Sequence, residues 1–65
     1  MTRTAIQHSA RFDADIEYNP SEPCSLNIDD EDHEVLTYWG IDADGNCYFI
    51  TFVGGIYNDS FTEEA

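Results

Sequence analysis

Ala10-Arg11-Phe12-Asp13-Ala14-Asp15-Ile16-Glu17-Tyr18 puts apolar residues at the even positions and charged ones at the odd, without a break. Side chains of an extended chain alternate between two faces, so this period of two predicts a half-buried strand. Phe12, Ile16 and Tyr18 then face a core, while Asp13, Asp15 and Glu17 face water. One strand cannot cover its own apolar face, so the fold turns on which other segments pair with it.

Downstream, Asn19-Pro20-Ser21-Glu22-Pro23 ends the strand, because proline removes a ladder donor and favours turns. Cys24-Ser25-Leu26-Asn27-Ile28 alternates again and predicts a short second strand. The densest acidic run follows, Asp29-Asp30-Glu31-Asp32-His33-Glu34, and it allows two readings. In one, Asp29 or Asp30 caps a short helix whose first turn favours acids, with Val35, Leu36 and Trp39 on its buried side. In the other, the run is a solvated loop entering a strand, which Thr37, Tyr38 and Trp39 favour by propensity.

Ala43-Asp44-Gly45-Asn46 carries the Asp-Gly turn dipeptide between two apolar stretches and predicts a hairpin. Residues 35–42 run in, and Cys47-Tyr48-Phe49-Ile50-Thr51-Phe52-Val53 run out. The outgoing run is apolar almost throughout, which predicts a central strand covered on both faces. Gly54-Gly55 interrupts it, Ile56-Tyr57 predicts an edge segment, and residues 58–65 read as a frayed acidic end. The expected fold is mainly β or α+β: one domain over residues 1–65, a small antiparallel sheet of three to five strands with room for one short helix.

Fourteen acidic side chains stand against two arginines and no lysine, giving a net charge of −12. Disorder is the simplest source of such a balance, but it goes with few apolar and aromatic residues. Here 42% of residues are hydrophobic and 14% aromatic, enough for a marginal core in 65 residues. No apolar run reaches the length of a secretory signal or a membrane span, so a cytoplasmic protein is expected. In that setting Cys24 and Cys47 are expected as reduced, partly buried thiols; in an oxidising compartment the alternative is a disulfide between them.

Catalysis by paired carboxylates needs a pocket that separates their pKa values, and so short a chain offers little depth for one. His8 and His33 are expected as exposed residues beside acids, and no enzyme activity is expected. Asp42-Ala43-Asp44-Gly45-Asn46 resembles part of a calcium loop. With Asp42 first, however, Cys47 stands where the loop glycine belongs and Val53 where the bidentate glutamate belongs. The cysteines and histidines lack the paired spacing of zinc sites. No metal or cofactor is expected. Direct nucleic-acid binding is disfavoured because phosphates are held by Lys and Arg, and only Arg3 and Arg11 are present.

Acidity itself then becomes the candidate recognition surface. On a strand, side chains of one face are about 6.8 Å apart, so Asp13, Asp15 and Glu17 would form a rigid row of charge. That spacing is of the order of a nucleic-acid backbone's, with one charge per ~3.4 Å of rise per strand. Asp29, Asp30, Glu31, Asp32 and Glu34, with Asp42 and Asp44 at the hairpin turn, extend the candidate surface into a second row.

In size, charge and these two acidic rows the chain resembles the small DNA-mimic inhibitors of phages and mobile elements. Among them it is similar to the anti-CRISPR proteins directed at type I surveillance complexes, type I-C included. The resemblance implies a non-catalytic protein that binds a basic DNA-entry or PAM-reading surface in the host cytoplasm and excludes target DNA. Two alternatives stand beside it. One is an interaction module binding through an apolar patch or an edge near residues 48–57; the other is an antitoxin-like regulator of a basic protein. Repulsion between acidic faces favours a monomer, and moderate salt or mild acidification should stabilise the isolated fold.

Overall fold

The computed structural model describes residues 4–65, so Arg3 lies outside the described residues. Strands β1 (Ala5–Ser9), β2 (Ala14–Tyr18), β3 (Ser25–Ile28), β4 (Glu34–Ile41), β5 (Cys47–Val53), β6 (Ile56–Tyr57) and β7 (Glu63–Glu64) form one sheet, with a single 3-10 turn at Asp59–Phe61. The sheet runs β1-β2-β4-β5-β6, with β3 also on β4 and β7 also on β5. All pairings are antiparallel. The sheet curls into a half-barrel, and its mainly β, antiparallel class is the expected one.

The apolar face closes on itself. Ile16, Tyr48 and Ile50 are fully or nearly fully buried, and Phe12, Ala14, Tyr18, Tyr38, Phe52 and Tyr57 pack around them. The registers Tyr18↔Gly40, Gly40↔Tyr48, Tyr38↔Ile50 and Phe52↔Tyr57 place these residues on one side of four neighbouring strands. Rings meet at tilted or edge-on angles, with centroids 5.1 Å apart for Tyr18–Tyr38 and 5.2 Å for Phe12–Tyr48, a geometry aromatic quadrupoles favour. Gly40 makes the curl possible. A Cβ there would collide with Cγ2 of Ile16 and stand 3.1 Å from the Glu17 carbonyl oxygen, so β2 folds this closely over its partner β4 only because this side chain is absent.

The strand expected over residues 10–18 exists only as Ala14–Tyr18. Asp13 has φ +50° and belongs to the turn joining β1 to β2. Phe12 still reaches the core, but from that turn. Of the two readings of the acidic run, the loop entering a strand is the structure found; among the described residues there is no α-helix. Trp39, on the buried side of the rejected helix, is 48% exposed on the outer face of β4. Strand β5 is covered on both faces only at Ile50 and Thr51; Phe49 is exposed. Cys24 and Cys47 are free thiols, and Cys24 is exposed rather than partly buried.

The largest correction concerns the C-terminal end, which is docked rather than frayed. Thr62 is fully buried, β7 pairs with β5, and the Ala65 N–H donates to the Cys47 carbonyl at 2.9 Å. Asp59 fastens this segment to the β1–β2 turn. It accepts hydrogen bonds from the Ser9 hydroxyl (2.6 Å), the Arg11 backbone N–H (2.7 Å) and the Tyr57 hydroxyl (2.7 Å). The Arg11 guanidinium donates to the Thr62 carbonyl at 2.7 Å and lies 5.0 Å from the centre of the Phe12 ring. These contacts bring together two parts of the chain that the sheet order places far apart.

Candidate functional site: two acidic lobes

Two hairpin turns share one construction. In Asp42-Ala43-Asp44-Gly45-Asn46, the Gly45 N–H donates to the Asp42 carbonyl (3.1 Å) and the Asp42 N–H to the Asn46 carbonyl (3.0 Å). Gly45 has φ +85°, the left-handed residue that follows the tight turn in a three-residue hairpin loop. In Asp29-Asp30-Glu31-Asp32-His33 the same pair of bonds runs from Asp32 to Asp29 and from Asp29 to His33, at 3.1 and 3.0 Å. Asp32, with φ +63°, occupies the position Gly45 fills in the other turn.

Each turn is headed by an aspartate whose carboxylate folds back onto the loop. Asp29 Oδ1 accepts the N–H groups of Glu31 (2.9 Å) and His33 (2.8 Å). The His33 N–H is the main cause holding the Asp29 carboxyl below its ordinary range. Asp42 Oδ1 accepts from the N–H groups of Asp44 and Asn46, both at 2.9 Å, and Asp42 Oδ2 from the Tyr48 hydroxyl at 2.8 Å. Burial pushes Asp42 upward, but donors from Tyr48, Asn46 and Asp44 outweigh it and leave the carboxyl below its ordinary range. The same bond to Asp42 pushes the Tyr48 phenol up to about 12. Asp59 is lowered by the Ser9 hydroxyl first and the Tyr57 hydroxyl second.

These three aspartates are the part-buried ones; the other eleven acidic side chains are exposed. Eight of these exposed acids gather at two ends of the central hairpin. One lobe holds Asp13, Asp15 and Asp44, which line a hollow of about 210 Å³ together with Asp42. Asp15 and Glu17 line a neighbouring hollow of about 230 Å³ on the outer face. The second lobe holds Asp30, Glu31, Asp32 and Glu34 at the start of β4. The length of β4 separates the lobes, ~24 Å at 3.4 Å per residue.

The structure therefore brings Asp13, Asp15, Glu17, Asp42 and Asp44 together from three segments, and keeps Asp29, Asp30, Glu31, Asp32 and Glu34 apart from them. The continuous row expected along one strand is broken, because only Asp15 and Glu17 share the outer face of β2. Asp15 is also paired, with His8 Nδ1 at 2.7 Å, and His33 Nδ1 lies 3.4 Å from Asp29 Oδ2. The His8–Asp15 pair is solvent-exposed and the His33–Asp29 pair only partly covered, so both contribute little to stability. Among the described residues, no group of three or more His, Cys, Asp or Glu could hold a metal ion.

An apolar surface lies beside the first lobe; of its residues only Phe49 falls in the segment 48–57 where the alternative reading placed a patch or edge. Trp39, Ile41 and Phe49 lie on the outer face with Ile6, and the Trp39 and Phe49 rings meet edge to face at 5.2 Å. Composition counts such residues as core; only the register shows them on the wrong side of the sheet for it. No family model, curated protein or solved structure matches this chain.

Proposed function

We propose that this protein is a non-enzymatic inhibitor that binds a basic nucleic-acid-binding surface of a host defence complex by presenting carboxylates where phosphates would lie. The observation that carries this reading is the disposition of charge. Eleven exposed carboxylates sit on a curled sheet held by an aromatic core. Arg11, the basic residue among those described, is turned onto the Thr62 carbonyl. A field of one sign over so small a body steers a basic partner toward it and repels nucleic acid. The lobes sit on tight hairpin turns, so the charge is held in place before binding and little ordering is lost on contact.

The resemblance in size and charge implies the target we propose: the DNA-entry or PAM-reading surface of a type I surveillance complex, type I-C included, in the host cytoplasm. A competition experiment tests it. Increasing amounts of the protein are added to such a complex holding a labelled target duplex, at low and at raised salt. Displacement of the duplex that weakens as salt rises is expected, since exposed charges are screened. A complex that keeps its DNA at low salt, with the protein in large excess, contradicts the proposal.

A further inference from the structure

The outer face of the sheet carries an apolar surface that no other element covers among the described residues. Ile6, Trp39, Ile41 and Phe49 are 68, 48, 43 and 37% exposed. They are contiguous. Ile6 and Ile41 line one hollow, Trp39 and Ile41 stand two residues apart on one face of β4, and Phe49 pairs with Trp39 across the ladder. Together they expose on the order of a few hundred Å² of apolar surface, the scale at which a patch on a small protein marks an interaction site.

The surroundings of the patch select its occupant. Glu17 lies between Ile6 and Ile41 in one cross-strand row, Asp15 and Asp42 line the same hollow, and Glu63 pairs with Phe49. A second copy would bring the same carboxylates against these ones, and an anionic membrane would be repelled. We infer that the patch docks a basic partner protein, one that inserts an apolar cluster bordered by Lys or Arg. The inference rests on the reading above that the partner is basic. It adds that the contact has a desolvated centre at Trp39, with the carboxylates as its rim. Large aromatic anchors inside a polar rim are the usual layout of tight interfaces.

Trp39 is the sole tryptophan, so the patch reports on its own occupancy. Two peptides of equal length and charge serve as probes, one a leucine–lysine amphipathic helix and the other with serine in place of leucine. The leucine–lysine peptide is expected to shift Trp39 emission to the blue and to bind at least about tenfold more tightly, a gap that persists at raised salt. Ile6→Ser and Ile41→Ser should each narrow that gap, and Ile6→Ser, at the more exposed position, should do so with the melting temperature within a few degrees of wild type. Equal affinity for both peptides with no emission shift overturns the inference and leaves the charge-based reading standing. Failure of both peptides to bind at low salt overturns the two together. A dimer by sedimentation at raised salt that Ile41→Ser dissolves assigns the patch to a second copy, which also overturns the inference.

Discussion

Asp29, Asp42 and Asp59 turn their carboxylates onto backbone and hydroxyl donors of their own chain, whereas Asp13, Glu17 and the acids at 30–32 and 34 leave theirs in solvent, as does Asp15 apart from its exposed pair with His8. The two groups are chemically alike. What separates them is the donors within reach. Asp29 and Asp42 stand where their own turns leave N–H groups without a ladder partner, while Asp59 meets the Arg11 N–H and the Ser9 and Tyr57 hydroxyls that the fold brings to it. Repulsion opposes compaction across the whole surface, and at these positions directional hydrogen bonding wins. The inward acids hold the fold, and the outward acids remain for a partner.

The sharpest way to break this comparison is to remove one carboxylate from each group. Asp59→Ala leaves the Ser9 and Tyr57 hydroxyls and the Arg11 N–H without their acceptor, at a cost of about 2–3 kcal/mol. At this chain length that lowers the melting temperature by on the order of 10 °C, measured by circular dichroism. Asp15→Ala removes the same charge and should stay within about 0.5 kcal/mol of wild type. Equal losses for the two variants would show that net charge, not placement, governs stability.

Acid should separate the groups next. All three inward aspartates are held below their ordinary carboxylate values. Their stabilisation is therefore fully present above the unfolded value of about 4 and is lost as pH falls through the lower folded values. Relief of surface repulsion acts in the opposite direction. Melting temperature should hold or rise as pH falls from 7 toward about 4, then drop below it. A steady rise down to pH 2 would mean that repulsion outweighs all three hydrogen-bonded carboxylates.

The twin turns offer smaller effects of opposite sign. Gly45→Ala forces a Cβ into the left-handed region and should cost about 1 kcal/mol. Asp32→Gly relieves the same strain in the other turn and should gain up to about 0.5 kcal/mol, despite glycine's greater freedom when unfolded. Chemical denaturation resolves both, and a destabilised Asp32→Gly would mean that its aspartate contributes more than its backbone costs. Smallest of all, the combined change Asp13→Asn, Asp15→Asn and Glu17→Gln should leave the melting temperature within a few degrees of wild type.

Much of the sheet was legible because alternation and turn chemistry are local. Ser25–Ile28, the β4–β5 hairpin and the inward Ile16 follow from period two and an Asp-Gly turn. Strand β1 was not legible, since its pattern is inverted. Ile6 points outward while Gln7 and Ser9 point in, and Ser9 is buried for its hydroxyl's bond to Asp59, 50 residues away. The docked end was hidden for the same reason. Residues 58–65 look frayed because their partners, Ser9 and Arg11 among them, lie at the far end of the chain. At the candidate site, the acids could be listed from the sequence, but not sorted. The αL backbone of Asp13 breaks the expected row, and nothing in the alternation of residues 10–18 announces it. Of the outer patch, only Phe49 falls in the segment 48–57 that the alternative reading offered; Ile6, Trp39 and Ile41 join it through cross-strand register, which the sequence does not show.

The measurement closest to the central claim is the salt dependence of DNA displacement from a type I surveillance complex. It compares wild type with a variant carrying Asp13→Asn, Asp15→Asn, Glu17→Gln, Asp30→Asn and Glu31→Gln. If the outward carboxylates stand in for phosphates, the variant keeps its melting temperature, displaces DNA more weakly, and shows a shallower slope of log affinity against log salt. A folded variant that displaces DNA as well as wild type, with an unchanged slope, would contradict the account.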